Sequence, residues 1–240
     1  MKKYRLDKYM AMVGMVPTRS QAESYIKLGK VFVDGKQAKK PGMIVDDKNR
    51  ISLKANTYVS RAALKLESVV DVFRLDFKGK TVLDVGSSKG GFTDLALKYG
   101  AKRVIAVDVG SGQMHPELAN DRRVELREKT DIREVKSLPC KPDIILIDVS
   151  FISLRLVLPA VARLSGSGTR IVAMFKPQFE TSPKQKIRGL VKNNRIRRKA
   201  LSAFEYWLKE NCYKIMAKAD SKIAGAKGNI ERFYLLKLIR

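Results

Sequence analysis

Four apolar runs in this sequence each end in a charged side chain. Residues 81–83 lead into Asp84, 103–107 into Asp108, 143–147 into Asp148 and 170–175 into Lys176. Each run reads as a buried parallel strand. In open α/β sheets, ligands gather outside the carboxyl ends of the strands. Carboxylates there can accept hydrogen bonds from ligand hydroxyls, and a lysine can supply a cation or take up a proton. A solvated rim explains one such charge readily and four of them poorly.

The run from Thr81 to Asp94, TVLDVGSSKGGFTD, narrows the choice. A strand, a small-residue turn and a helix closed by Gly100 make the entry of a nucleotide-cofactor fold. Missing side chains let a ligand approach the backbone, and the helix N-terminus offers free N–H groups. A dinucleotide fingerprint needs glycine in the second place of G-x-G-x-x-G, where Ser88 stands between Gly86 and Gly91. A P-loop needs Gly-Lys-Ser/Thr, and Gly91 is followed by Phe92. What remains resembles the D/E-x-G-x-x-x-G loop of S-adenosylmethionine methyltransferases. A βα turn that binds nothing is the alternative for the loop alone. Asp108, about 20 residues further on, is placed to accept from ribose hydroxyls and favours the ligand.

These residues need a scaffold. Val124-Glu125-Leu126 reads as a third strand, followed by Asp131, which can approach an adenine edge. Residues 213–217 and 233–238 finish the sheet as an antiparallel pair. A helix from Ser60 to about Phe73 carries an apolar stripe of Ala63, Leu66, Val69, Val70 and Phe73, with Lys65 beside it at a cleft edge. Residues 184–199 hold eight basic side chains and no acid. They read as a mobile loop, broken by Gly189 and Asn193-Asn194, that enters a helix over 197–209. Trp207 on that helix is read as packing rather than base stacking.

Residues 1–58 form a separate small domain in this reading, and 59–240 the catalytic one. Asp7 lies in a first helix, and Thr18 or Ser20 caps a second that Gly29 stops. Val31-Phe32-Val33 with Asp34-Gly35 makes a hairpin, and Ile51-Ser52-Leu53 a closing strand.

The chain has 240 residues and a net charge of +25, from 49 Lys plus Arg against 24 Asp plus Glu. That excess implies a polyanion partner, nucleic acid ahead of a membrane surface. No apolar run reaches spanning length and no secretory leader is visible, so a cytoplasmic location is expected. Cys140 and Cys212 read as buried free thiols in a reducing compartment. His115 is the only histidine and reads as a polar loop residue before Pro116. A zinc site or a histidine-based triad is therefore not expected, and no metal is.

Two resemblances follow. Arg5-Leu6-Asp7, Ser20…Ala22…Ile26…Gly29-Lys30-Val31…Val33-Asp34-Gly35 and Lys40-Pro41-Gly42 resemble the small RNA-binding domain named after a small-subunit ribosomal protein. The segments SRAALKL, LIDVSF, MFKPQFE and GNIERF carry Lys65, Asp148, Lys176 and Glu231. Together with the glycine loop they resemble the Lys-Asp-Lys-Glu tetrad of FtsJ-like ribose 2′-O-methyltransferases. Both parts in this order are similar to the TlyA family, often labelled haemolysin A.

The resemblance implies an α/β fold. A Rossmann-like methyltransferase with a mostly parallel seven-stranded sheet is expected, preceded by a small α+β RNA-binding domain. The implied reaction is methylation of cytidine 2′-hydroxyls in bacterial ribosomal RNA, with S-adenosylmethionine as cofactor and rRNA or ribosomal subunits as partners. A monomer without membrane contact is expected. Lys176 is the implied base, Lys65 the neighbouring cation, Asp148 the group that orients Lys176, and Glu231 the group that positions Lys65. A lysine serves as base only where burial or a second cation favours its neutral form, and a carboxylate partner works against that. Asp84, Gly86, Ser87, Ser88, Gly90, Gly91, Phe92, Asp108, Asp131 and Asp148 are the expected cofactor residues. Arg5, Arg19, Ser20, Lys27, Lys30, Lys39, Arg61, Lys184, Lys186 and Arg188 are the expected RNA contacts. Asp131 departs from the family's frequent asparagine, and Lys222 from a common proline. A non-catalytic rRNA-binding or ribosome-assembly factor is the alternative, and a haemolysin the third reading.

Overall fold

The computed structural model describes residues 2–225 and 227–239. The N-terminal unit comprises β1 (Tyr4–Arg5), α1 (Leu6–Met12), α2 (Arg19–Lys27), β2 (Val31–Val33), β3 (Lys36–Gln37), β4 (Ile44–Val45) and β5 (Ile51–Leu53). Thr18 caps α2 by accepting from the Gln21 N–H, while Ser20 lies inside the first turn. Gly29, at φ 70°, turns the chain into β2. β2 pairs antiparallel with β3 and β5, and β1 with β4. The β1–β4 pair was not foreseen, because two-residue strands show no alternation to read.

The larger unit runs α3 (Arg61–Val70), β6 (Thr81–Val85), α4 (Gly91–Lys98), β7 (Arg103–Val107), α5 (Pro116–Ala119), β8 (Val124–Arg127), β9 (Ile144–Ile147), α6 (Leu154–Leu164), β10 (Arg170–Phe175), α7 (Pro177–Glu180), α8 (Asn194–Glu210), β11 (Tyr213–Asp220) and β12 (Arg232–Leu238). Its seven strands lie in the order β11-β12-β10-β9-β6-β7-β8. β12 is antiparallel to β10 and β11, and the remaining pairs are parallel. The expected α/β architecture is therefore present.

Period-two alternation sorts the strand side chains into two layers. Val82, Val104, Ile144 and Val172 pack in one layer with Leu66 of α3 and Leu95 of α4. Leu83, Ile105, Ile145 and Ile171 pack in the other with Leu158 of α6 and Phe204 of α8. The first layer continues without a break into Leu6, Met10, Ala22, Tyr25 and Ile26 of the N-terminal unit. No helix among the described residues is long and apolar enough to cross a membrane.

Two local expectations change, at the start of α8 and at the cysteines. Asn193 does not break α8 but caps it, its Oδ1 accepting from the Arg195 N–H at 2.8 Å. The helix accordingly starts at Asn194, inside the stretch read as loop. His115 is the N-cap residue of the one-turn helix α5 and is half-buried. Cys140 and Cys212 are both exposed rather than buried. Cys140 lies in the loop before β9, and Cys212 in a left-handed turn (φ 61°) between α8 and β11, where no layer covers a side chain. Trp207 does pack, stacked between Phe204 and Tyr213.

Gly86, at φ 83°, lies where β6 meets β9. A Cβ on it would stand 2.7 Å from the Asp148 carbonyl oxygen. Gly86→Ala should cost about 2–4 kcal/mol, from left-handed strain plus overpacking against backbone. Urea unfolding checks this, and a loss below about 0.5 kcal/mol would contradict the close approach.

Candidate active site

β6 and β9 are central neighbours, and the helices that follow them, α4 and α6, lie in opposite layers. The sheet therefore opens a crevice at their carboxyl ends. A cavity of about 420 Å³ fills it, within the range of small-molecule sites. Its polar wall includes Ser88, Asp108, Gln113, Asp131 and Asp148, and its apolar wall Ile132, Phe151 and Val157. An adjoining cavity of about 610 Å³ shares Gly86, Ser88, Asp148 and Ser150 with the first. It extends past Lys65, Lys89 and Lys176 to Arg61, Thr18, Ser20 and Gln21 of the two units' facing surfaces.

Where the cavities meet, four charges form two ion pairs. Lys176 Nζ stands 2.6 Å from Asp148 Oδ1 and donates to Ser150 Oγ at 2.9 Å. Lys65 Nζ stands 2.6 Å from Glu231 Oε2. Lys65, Lys176 and Glu231 are 8%, 9% and 2% exposed. Charges so shielded persist only when paired. They come from four elements: α3, the ends of β9 and β10, and the turn before β12. Glu180 of α7 fastens two of these loops. It accepts from Ser153 Oγ at 2.7 Å, the Leu154 N–H at 2.7 Å and Arg155 at 2.8 Å. The segment after Lys176 thereby caps α6, the helix that follows Asp148.

The remaining carboxylates are distinct from one another. Asp108 accepts the Ser88 N–H at 2.8 Å and the Gly110 N–H at 2.7 Å, and so shapes the rim. Asp131 lines the first cavity while pairing with Arg133 at 2.6 Å. Asp84 is wholly buried and accepts from Thr93 Oγ1 at 2.7 Å, which places it beneath the glycine loop. Burial, opposed by the Thr93 bond and reinforced by Asp148 and Asp108, pushes its pKa up to about 7. Ser87, Gly91 and Phe92 line the second cavity. Gly90 is the left-handed N-cap of α4, under Met114 and Leu118. Among the described residues, no group of three or more His, Cys, Asp and Glu is arranged to hold a metal ion.

The basic candidates fall into four sets. Arg5 and Arg19 both bind the buried Asp7 carboxylate at 2.9 Å, joining α2 to the start of α1. Arg61 donates to Ser20 Oγ at 2.8 Å, across the two units. Lys27 pairs with Glu23 at 2.7 Å, Lys30 is half-buried before β2, and Lys39 lines a basic cleft with Lys40. Lys184 and Arg188 are exposed, while Lys186 donates to the Gln178 carbonyl at 2.6 Å. Sequence reasoning missed Ser150, Gln113 and Glu180 as site-shaping groups. The first and last lie inside segments already singled out, and nothing in their spacing signals a partner.

Residues 58–238 match the family described as FtsJ-like methyltransferase, and residues 5–51 the S4 domain. The chain is 37% identical to YqxC of Bacillus subtilis, named as a candidate rRNA methyltransferase, over 99% of this chain and 86% of that one. It is 34% identical to the 16S/23S rRNA (cytidine-2'-O)-methyltransferase TlyA of Mycobacterium tuberculosis, over 97% and 89%. A solved structure of a candidate hemolysin from Streptococcus thermophilus is 37% identical, with a TM-score of 0.73 over 99% of this chain and 89% of that one.

Asp84 gives this site a pH signature. The folded state holds its proton to about pH 7, whereas the unfolded chain releases it near about 4. Through that window the folded state binds more protons, so this group's contribution to stability falls as pH rises and is level above it. Asp84→Asn should flatten that part of the pH dependence of the melting temperature. An unchanged slope in calorimetric scans across the window would show that Asp84 is ionised in the folded protein.

Proposed function

The chain belongs to the FtsJ-like methyltransferase family, in the TlyA group that carries an S4 domain ahead of it. From that premise we propose that it transfers a methyl group from S-adenosylmethionine to the 2′-hydroxyl of cytidine in ribosomal RNA. The observation that carries this reading is the meeting of two buried lysine–carboxylate pairs with a cavity of cofactor size.

The first cavity suits the cofactor. Asp108 and Asp131 offer acceptors for ribose and adenine, Ile132 and Val157 an apolar wall for the ring. Gly86 leaves room at the backbone, and the buried Ser87 Oγ has no hydrogen-bond partner among the described residues. Bound there, S-adenosylmethionine supplies an electrophilic methyl on a cationic sulfur.

The chain's own residues must make an alcohol attack. Lys176, in its neutral form, takes the hydroxyl proton, with Asp148 and Ser150 fixing its Nζ. Lys65, anchored by Glu231, supplies positive charge to the developing oxyanion. Orientation of the reacting groups adds to this, worth up to about 7–11 kcal/mol in favourable cases. The net charge of +25 and the S4 domain supply the hold on RNA. Residues 1–58 contribute to the hold on RNA and residues 59–240 carry the chemistry, a division that suits a cytoplasmic enzyme of ribosomes.

Purified protein, labelled S-adenosylmethionine and separate small and large ribosomal subunits test this reading. Mass spectrometry of the nucleosides should show 2′-O-methylcytidine. RNA binding with no methyl incorporated would favour the assembly-factor alternative. In calorimetry S-adenosylmethionine should bind and NAD should not, and Asp108→Ala should weaken binding with the fold retained. Binding of NAD alone would sink the cofactor assignment.

Lys176→Ala and Lys176→Arg should both bind cofactor and RNA nearly as the wild type does. Arginine cannot deprotonate at working pH, so both should lose about 10²–10⁴ in single-turnover rate. An arginine variant that kept most of the rate would make Lys176 a charge stabiliser and not the base.

A further inference from the structure

A short strap joins the two halves of the charged cluster. Residues 186–191 form a tight hairpin in which Ile187 and Leu190 exchange both backbone hydrogen bonds, at 3.0 and 2.9 Å. Arg188 and Gly189 sit at its tip with positive φ, 50° and 80°. This is the two-residue turn with left-handed backbone at both corners. Arg188 and Ile187 are exposed there, with Lys184 and Lys192 on either side.

The strap is tied down at both ends. On one side Lys186 donates to the carbonyl of Gln178, two positions past Lys176. On the other, the buried Asn229, 4% exposed, uses both ends of its amide. Its Oδ1 accepts the Val191 N–H at 3.0 Å and its Nδ2 donates to the Gly189 carbonyl at 2.9 Å. Asn229 lies two positions before Glu231. Its own carbonyl accepts from the Gly225 N–H at 2.9 Å, which closes the turn that presents Glu231 to Lys65.

A buried amide satisfied at both ends is a rigid joint, since losing either partner leaves a buried polar group unpaired. One tether therefore reaches the Lys176–Asp148 pair and the other the Lys65–Glu231 pair. The surface between them is basic and also exposes Ile187. Such a surface suits a folded RNA strand, whose phosphates meet the cations.

We propose that the 186–191 strap is a docking element for substrate RNA, and that Asn229 is a positioning residue locking it in register with both ion pairs. The proposal rests on the methyltransferase reading above for its catalytic consequence, though not for the docking itself. Removing Asn229 frees the strap without touching the cofactor cavity. The loss then appears in the chemical step at saturating RNA, and cofactor affinity is unaffected.

The test compares full-length wild type, Asn229→Ala, Asn229→Asp and Lys186→Ala. Amide hydrogen exchange follows the strap with and without rRNA, and single-turnover methylation is measured at saturating S-adenosylmethionine and ribosomal subunit. In the wild type, RNA should slow exchange of the strap amides. Asn229→Ala should speed Val191 exchange at least tenfold, keep cofactor affinity within about twofold and lower the single-turnover rate at least tenfold. Asn229→Asp keeps an acceptor for the Val191 N–H and should recover part of that rate. Lys186→Ala cuts the other tether at a half-buried side chain, and should lower the rate even if the Asn229 variants fail to fold.

Free strap amides with rates within about twofold of wild type would overturn the positioning role. Absence of RNA protection in the wild type would overturn the docking role. Wild-type protein that protects its strap on RNA but methylates neither subunit would support docking and reject the methyltransferase reading.

Discussion

A buried ammonium group must have a counter-charge, and the rest of this site follows from that constraint. Lys65 and Lys176 are too shielded to stay charged alone, so each has its own carboxylate at 2.6 Å. Neither pair comes from a single element. Lys65 lies on α3 and Glu231 ahead of β12, at opposite ends of the larger unit's sequence. Lys176 and Asp148 end adjacent parallel strands, β10 and β9. The sheet order brings all four to one rim, with β12 inserted antiparallel beside β10. A sheet with β12 elsewhere would strand Lys65 without its acid.

The same α3 couples the site to the N-terminal unit. α3 packs against both α2 and α4, and its N-terminus touches the glycine loop's helix. A Cβ on Gly91 would stand 2.2 Å from Ser60 Oγ, so only glycine lets the two helices approach this closely. α2 also ties down the linker that leads to α3, Tyr25 donating to the Asn56 carbonyl and Gln21 to the Tyr58 carbonyl, both at 2.7 Å. With one apolar layer running through both units, the smaller one is not a loosely tethered attachment. Removing it would uncover apolar surface on the face that carries Lys65, so a truncated protein tests folding as much as RNA recognition.

Most of this fold was legible because its signals are local. Continuous β-branched runs marked the buried strands, and Arg103–Val107 and Arg170–Phe175 have the bounds the sequence indicated. Thr18 and Gly29 bracketed α2 as capping chemistry requires. What local pattern could not carry was partnership. Asn193 and Asn194 looked like helix breakers, yet asparagine is also a good N-cap, and only the tertiary path of α8 decides between those roles. The cysteines were assigned to the interior from the habits of their residue type, whereas their positions in turns govern their exposure. The charged tetrad came from resemblance, since no spacing rule links Lys65 to Glu231. Glu180 and Asn229 were invisible as joints because each acts on backbone groups far away in sequence.

The electrostatics of the crevice bear on which cofactor it accepts. Asp108 and Asp148 follow the strands on either side of β6, and with burial they help push the Asp84 proton affinity up. Asp148 is offset by Lys176, which leaves Asp108 as the carboxylate at the mouth of the glycine loop. The backbone reinforces the choice. In a dinucleotide fold the N–H groups of the glycine loop face the phosphates. Here the Ser88 N–H is already given to Asp108 at 2.8 Å, and Ser88 holds a left-handed conformation at φ 45° in the place a dinucleotide loop keeps for glycine. One donor is consumed and one carboxylate is set at its mouth. Ser88 thus departs from the dinucleotide pattern in its backbone as well as its side chain, since its N–H is already given to an aspartate.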